Sequence, residues 1–135
     1  MRNFKIGVMT DSFRTTFVDA LDKAKELGAQ GVQMYVTEGD MFYKNLTDER
    51  IEQAKRELAD RGLVVSAICG DFGGHGFETE AENEWKIPSS KLVADLAVRF
   101  GAPVVTTHIG VVPEDNTCDT YKILQEACNT LADYA

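Results

Sequence analysis

Four side chains that could take part in chemistry lie after short apolar runs of this sequence: Asp11, Glu38, His75 and His108. The clearest case is VVTTHIG, residues 104–110, in which a run of buried-strand character leads directly into His108. A carboxylate in such a place can accept a proton or bind a cation, and a neutral imidazole can bind a metal ion or a substrate oxygen. These groups can act together only if the fold brings the ends of the apolar runs to one edge.

Each of these residues also has an ordinary structural interpretation. Asp11 and Ser12, in TDSFRTT, are of types that stabilise turns or cap helices, although either could hydrogen-bond a hydroxyl group of a ligand. Glu38 and Asp40, in TEGDMFYKNLT, could be solvated loop carboxylates, and His108 could be a structural histidine with satisfied hydrogen bonds. The surrounding elements must decide between these alternatives.

The third loop, GDFGGHGFETEAENEWK, has four glycines close together around His75. It contains no Gly-Lys-Ser/Thr and therefore does not match a phosphate-binding P-loop. Glycines allow the backbone to move and to approach a ligand closely, and Phe72 or Trp85 could form an apolar wall, so we expect an active-site flap. The alternative is a mobile surface loop, and the acidic run Glu78–Glu84 is predicted to be a solvated face.

Three stretches repeat one pattern, in which a helix ends at a glycine and a strand follows: ELGAQGVQMYV, DRGLVVSAIC and RFGAPVVTTHI. Gly28, Gly62 and Gly101 suit the left-handed position just past a helix. The strands are predicted to be covered on both faces because their apolar runs are continuous. The predicted strands are Phe4–Met9, Val32–Val36, Leu63–Cys69 and Val104–Ile109.

The helices carry start signals as well. Thr47 is predicted to cap the second helix, with Leu46 packed on Ile51 as a hydrophobic staple. Pro88 fits a first-turn position of the third helix. The last helix is predicted from Tyr121 to Ala135, and it lacks a glycine, a proline or a basic last turn to finish it.

This order predicts an α/β fold of four parallel β-α units in a single domain over residues 1–135. A complete (β/α)8 barrel needs about 250 residues, so the pattern corresponds to half of one. Because a half barrel leaves two bare strand edges, we expect either a second copy that closes it or a missing C-terminal half. A flavodoxin-like open sheet is the other arrangement, but TDSFRTT offers no glycine for its phosphate-binding turn.

Composition limits the partners. The formal net charge of −8 is unfavourable for binding nucleic acid or an anionic membrane. The three cysteines, Cys69, Cys118 and Cys128, form no Cys-x-x-Cys pair, which favours reduced thiols in a cytoplasm. The N-terminus has no signal-peptide pattern and no apolar run has membrane-spanning length, so a soluble cytoplasmic protein is expected.

The chain resembles the N-terminal half of the xylose isomerase-like TIM-barrel superfamily, which contains sugar phosphate isomerases and epimerases and the endonuclease IV group. The resemblance lies in KIGVMTDSF, ALDKAKELGAQGVQMYV, LADRGLVVSAICGDFGG, KLVADLAVRFGAPVVTTHIG and the helix near Tyr121, in that order. It covers essentially the whole sequence.

The resemblance implies a sugar or sugar phosphate isomerase or epimerase that uses a divalent metal (Mg, Mn or Zn) to assist proton transfer next to a carbonyl. Family members take their metal ligands largely from the second half, so His108, His75, Glu38 and Asp11 would bind substrate here. His108 is also a possible metal ligand, and the catalytic base stays unassigned. The endonuclease branch fits less well, because the chain is acidic and has two histidines. The alternative is a non-catalytic half barrel that self-associates as a homo-oligomer or binds a sugar.

Overall fold

Strands and helices alternate through the chain, as the sequence pattern predicts. The computed structural model describes residues 4–135. The strands are β1 (Gly7–Met9), β2 (Gly31–Tyr35), β3 (Val64–Cys69) and β4 (Val105–Thr106). The helices are α1 (Phe17–Glu26), α2 (Asp48–Ala59), α3 (Glu80–Phe100) and α4 (Asp119–Ala132). Short 3₁₀ turns occupy Thr10–Phe13, Gly39–Met41 and Tyr43–Asn45.

The four strands form one parallel sheet in the order β1-β2-β3-β4. In the register of the sheet, Met9 of β1 pairs with Gln33 of β2. Tyr35 of β2 pairs with Cys69 of β3, and Cys69 pairs with Thr106 of β4. Sequential order with every strand parallel is the arrangement of a (β/α)8 barrel, whereas a flavodoxin-like sheet places its second strand outside the first. The flavodoxin-like alternative is therefore wrong, and the four-unit half barrel is confirmed.

Local signals at the helix ends are confirmed. The Thr47 hydroxyl accepts a hydrogen bond from the Arg50 backbone N–H at 3.2 Å, as expected of an N-cap. Thr16 and Thr79 cap α1 and α3 in the same way. Gly101 ends α3 in the left-handed conformation, with φ of 67°, which any other residue would adopt at a cost.

The outer strands are shorter than predicted. The expected Phe4–Met9 strand extends only over Gly7–Met9, with one further backbone bond from the Gln30 N–H to the Ile6 carbonyl at 2.8 Å. The expected Val104–Ile109 strand extends only over Val105–Thr106, with one from the Ile68 N–H to the Val104 carbonyl at 2.9 Å. Each is an edge strand, so among the described residues it has a neighbouring strand to hydrogen-bond with on one side only.

The prediction that the strands are covered on both faces is wrong for one face. Side chains of Val32, Met34 and Ile68 point to the helices and are fully buried. On the opposite face, Val64 of β3 is 59% exposed. The helices cover only one side of the sheet, which leaves the other side open.

Two helices differ from their predicted bounds. The third begins at Glu80, so Pro88 lies inside it rather than in its first turn, and most of the expected acidic loop face is helical. Proline at this exposed position gives up its hydrogen bond to the Glu84 carbonyl and its ring crowds that carbonyl, yet the helix continues past it. The last helix is Asp119–Ala132, so it ends before residue 135 with Asp133 at its C-cap, whereas the sequence pattern predicted that it continues.

The core lies between the sheet and the helices. Fully buried side chains come from each of the first three helices and from the two central strands, and they include Leu21, Met34, Ile51, Ile68 and Val93. Within residues 4–135, no helix combines the length and the apolar character that crossing a bilayer requires.

Candidate functional site

Asp11 and Glu38 line the same cleft at the carboxyl ends of β1 and β2. The cleft has a volume of about 110 Å³, and its polar lining includes Thr10, Asp11, Thr15, Tyr35, Glu38 and Asp40. Carboxyl ends of parallel strands are where α/β folds place their ligands. The structure therefore brings together two of the four residues predicted from sequence.

Asp11 is positioned by the turn that follows β1 directly. Its Oδ2 accepts hydrogen bonds from the Thr10 hydroxyl at 3.0 Å and from the Tyr35 backbone N–H at 3.2 Å. These bonds join the end of β1 to the end of β2. Asp11 thus combines the turn-stabilising role, which the sequence also allowed, with a place in the cleft.

Glu38 and Asp40 have different surroundings although they are two residues apart. Oδ2 of Asp40 accepts a hydrogen bond from the Phe17 backbone N–H at 3.0 Å, which satisfies a donor at the start of α1. Glu38 is exposed and makes no side-chain hydrogen bond to the described residues. Glu38 is accordingly the carboxylate of this loop that is available to a ligand.

A second cleft continues from the first along the carboxyl ends of β2 and β3. Its volume is about 330 Å³, and it is lined by Tyr35, Thr37, Glu38, Asp71, Phe72 and Gly73. Because both clefts share Tyr35 and Glu38, we treat them as one feature, the polar groove. Asp71 was missed by the sequence analysis, although it follows β3 by two residues just as Asp11 follows β1. An acidic residue within three positions of a strand end was the signal that would have found it.

The polar groove contains a phenol that stays protonated. Hydrogen bonding to the side chain of its cross-strand neighbour Cys69 and repulsion by that group raise the pKa of Tyr35 to about 12, with burial, Asp71 and Asp11 adding to the shift. At neutral pH the Tyr35 hydroxyl therefore keeps its proton, which is engaged with the Cys69 side chain, and its oxygen is a hydrogen-bond acceptor beside the carboxylates.

An aromatic side chain forms the apolar part of the polar groove. Phe72 lines it and contacts Trp85 of α3 edge to face, with ring centroids 5.5 Å apart. Phe72 also meets Tyr43 at 5.8 Å. Of the two aromatic residues proposed from sequence as a wall, Phe72 faces the groove and Trp85 supports it from behind.

The two histidines lie on neighbouring loops outside the polar groove. His108 follows the end of β4 by two residues, and His75 is in the glycine-rich loop between β3 and α3; both are exposed. The Phe77 backbone N–H donates to the Ile109 carbonyl at 3.0 Å, so the two loops pack together. Both histidines are at the carboxyl rim of the sheet, as predicted, but neither lines the groove that holds Asp11 and Glu38.

The donor set does not form a metal cage in this part of the chain. Nowhere among residues 4–135 do three His, Cys, Asp or Glu side chains come close enough together to hold an ion. His108, the possible metal ligand from sequence, has no such companions. The described residues alone therefore do not fit the divalent metal that the resemblance implied.

Comparisons with known proteins agree with this fold. Residues 21–135 match the model of a family described as xylose isomerase-like TIM barrel. The crystal structure of a xylose isomerase domain protein from Planctomyces limnophilus superimposes with a TM-score of 0.73 at 24% identity, over 97% of this chain and 51% of that chain. None of the curated proteins that were compared matches the sequence.

Two further solved structures share the fold at lower identity. A probable 3-DHS dehydratase, AsbF of Bacillus anthracis, has a TM-score of 0.63 at 22% identity, over 97% of this chain and 49% of that one. An AP endonuclease of family 2 from Brucella melitensis has a TM-score of 0.61 at 18% identity, over 96% and 52%. The chain spans about half the length of each of these three proteins. At such identities the likeness concerns the fold.

Proposed function

The chain belongs to the xylose isomerase-like TIM-barrel family, and from that premise we propose that it forms the substrate-binding half of a sugar isomerase or epimerase site. The observation that carries the proposal is the polar groove, where Asp11, Tyr35 and Glu38 meet at the carboxyl ends of neighbouring strands. Proton transfer next to a carbonyl needs a substrate held in one orientation by several hydrogen bonds. The groove offers several hydrogen-bond acceptors for that purpose.

Each residue of the groove has a role in this proposal. Glu38 accepts hydrogen bonds from sugar hydroxyls, and the oxygen of the neutral Tyr35 phenol accepts another. Phe72 contacts the apolar C–H face of the sugar. Asp11 holds the ends of β1 and β2 together and lines the groove beside Glu38. His108 and His75, on the adjoining rim, contact the far end of the substrate.

The charges of the groove favour an unphosphorylated sugar. Asp11, Glu38, Asp40 and Asp71 line it, and among residues 4–135 its lining includes no lysine, arginine or histidine. A phosphate group would be repelled by four carboxylates and would find no cationic partner among these lining residues. A neutral polyhydroxylated substrate has no such penalty.

The described residues do not bring the ligands of a metal ion together, so they give a metal no part in the proposed role of this chain. In the proposed reaction this chain binds and orients the sugar. The group that takes the proton stays unassigned.

Deuterium incorporation tests the activity directly. Proton abstraction next to a carbonyl exposes that carbon to solvent exchange, so aldoses and ketoses are incubated in D₂O with Mg²⁺, Mn²⁺ or Zn²⁺ and followed by NMR. The assay uses this chain and any longer natural product that contains it. We expect deuterium at the carbon next to the carbonyl of a neutral sugar, with Glu38→Gln as the matched variant in which exchange is slower at sugar concentrations below saturation. If no member of the panel exchanges with the longer product, the proposed reaction is wrong.

A non-catalytic half barrel that self-associates is the second candidate. Apolar side chains at the sheet edges favour it: Phe4 and Ile6, just before β1, are 73% and 58% exposed, and Val104, just before β4, is 48% exposed. A second copy would pair these bare edges and bury those side chains. Light scattering at rising concentration should then report a mass of about twice 14.9 kDa. A monomer at high concentration would remove this candidate.

Nuclease activity is the least favoured of the activities that structural neighbours suggest. The Brucella melitensis neighbour is an AP endonuclease. Binding of a DNA backbone requires clustered lysine and arginine, whereas this chain carries a net charge of −8 and a groove lined by carboxylates.

A further inference from the structure

Lys86 is the only fully buried charged side chain among residues 4–135, with 2% of its surface exposed. It lies on α3, more than a turn inside the helix, and points towards the glycine-rich loop. Burying an ammonium group is unfavourable unless its protons are all matched by acceptors. We therefore expect hydrogen-bond acceptors around the buried ammonium group of Lys86.

Three acceptors surround the ammonium group. Nζ of Lys86 donates to the carbonyl oxygens of Gly73 at 3.0 Å and Gly76 at 2.7 Å, and to Oε2 of Glu82 at 2.8 Å. A lysine has three N–H donors, so this set uses all of them. Glu82, one turn earlier on α3, supplies the opposite charge.

The two carbonyl acceptors bracket His75. Gly73, Gly74 and Gly76 all have positive φ, 69°, 66° and 64°, so the backbone of the loop is left-handed at three positions. Such a path leaves its carbonyl groups without helix or sheet partners, and Lys86 satisfies two of them. Other hydrogen bonds of the loop run from the Gly73 N–H to Asp71 at 2.8 Å, from the Asn83 amide to the Phe77 carbonyl at 3.0 Å, and from the Phe77 N–H to the Ile109 carbonyl at 3.0 Å.

This loop carries part of the polar groove. Asp71, Phe72 and Gly73 line the groove immediately before the segment that Lys86 holds. The sequence predicted a flap because the loop is rich in glycine. The contacts of Lys86 instead tie that glycine-rich segment to α3.

We propose that Lys86 is a positioning residue that holds the loop of residues 71–77 as a preformed wall of the polar groove, an inference that rests on the proposed function for its link to substrate. Its ammonium group donates to the Gly73 and Gly76 carbonyls in the structure without a bound sugar. Asp71 and Phe72 are then in place before a sugar arrives, and binding costs less ordering of the backbone.

The first readout is independent of any substrate. Backbone ¹⁵N relaxation gives order parameters for residues 73–77, which are about 0.85 for rigid backbone and below about 0.6 for flexible backbone. We expect rigid values in the unmodified protein and flexible values in Lys86→Met. Lys91→Met is the matched control, because Lys91 lies on the same helix and its Nζ sits over the ring of Tyr134, away from the loop. Flexible values before substitution, or rigid values in Lys86→Met, would overturn the proposal.

The second readout connects the loop to binding. With the sugar that exchanges in the deuterium assay, Lys86→Met should raise KM about tenfold with a smaller change in kcat, since the wall acts on binding. Lys91→Met should leave both unchanged. An unchanged KM in a variant whose loop has become flexible would contradict the positioning role. If no sugar is bound at all, the proposed function fails, and the order parameters still decide whether Lys86 fixes the loop.

If Lys86→Met does not fold, a second substitution of the same residue replaces it. Lys86→Gln keeps a polar side chain while removing the charge, and it takes the place of Lys86→Met in both readouts with the same two outcomes. The unfolding midpoint of each variant separates a loosened loop from a loosened protein, because only the loop values should change.

Discussion

The side-chain amide of Gln33 on β2 donates a 3.0 Å hydrogen bond to the hydroxyl of Thr106 on β4, so the two strands are joined across β3. Both side chains lie on the face of the sheet that the helices do not cover. β4 has only two paired residues, and this bond therefore adds substantially to its attachment.

Replacing either partner should lower stability by about 1 kcal/mol, the usual net value of one hydrogen bond. Gln33→Met and Thr106→Val are compared singly and together by urea unfolding. We expect the double variant to lose less than the sum of the single losses, because both remove the same bond. Gln53→Met is the control, since its bond to Glu57 is exposed on α2. Strictly additive losses would mean that the two side chains do not interact.

Alanine substitutions at Gly73 and Gly76 distinguish the cost of backbone strain from the cost of a steric clash. Both have positive φ, but a Cβ on Gly73 would meet nothing within 4 Å, whereas one on Gly76 would overlap the backbone of Ile109 and Gly110. Gly73→Ala should cost about 1 kcal/mol from the left-handed conformation. Gly76→Ala should cost about 2 kcal/mol more, because the two loops must separate. Equal unfolding free energies for the two variants would contradict the close approach of the loops.

Tyr35 should be the tyrosine that titrates near pH 12. Its pKa in the folded state is raised above the ordinary value of 10, so the folded state favours the protonated phenol. The associated stability is complete below pH 10 and is lost as pH rises from 10 towards 12. Phenolate absorbance should lose its most alkaline component in Tyr35→Phe. If the Tyr35→Phe titration curve differs from that of the unmodified protein only near pH 10, then Cys69 does not raise the pKa of Tyr35.

Substitution of Glu38 should affect sugar binding, whereas substitution of Asp40 should affect stability. Glu38→Gln should leave the free energy of unfolding within about 0.5 kcal/mol of the unmodified value, since the side chain has no described partner to lose. It should weaken the binding of a neutral sugar by about tenfold. Asp40→Asn should instead lower stability by about 1 kcal/mol, because Asp40 satisfies the Phe17 N–H at the start of α1. Titration calorimetry with the sugar measures binding by both variants, and scanning calorimetry measures their thermal unfolding.

The sequence alone determined the order of elements and the ends of the helices. The caps at Thr47 and the glycines Gly28, Gly62 and Gly101 were predictable because each signal acts within a few residues of itself. The start of α3 was not predictable from Pro88, since proline is also tolerated on an exposed face of a long helix. The lengths of β1 and β4 depend on neighbours from distant parts of the chain, which local patterns do not contain.

For the site, sequence reasoning placed Asp11, Glu38, His75 and His108 at the carboxyl rim, because strand ends can be recognised from apolar runs. Only the tertiary structure decided which of them share a groove: Asp11 and Glu38 do, with Tyr35 and Asp71, and the histidines lie on the adjoining loops. It also decided that Lys86 binds the glycine-rich loop, although lysine in a helix usually lies in water. The physical reason is that a side chain's partners are set by packing between segments far apart in sequence, whereas propensity acts along the chain.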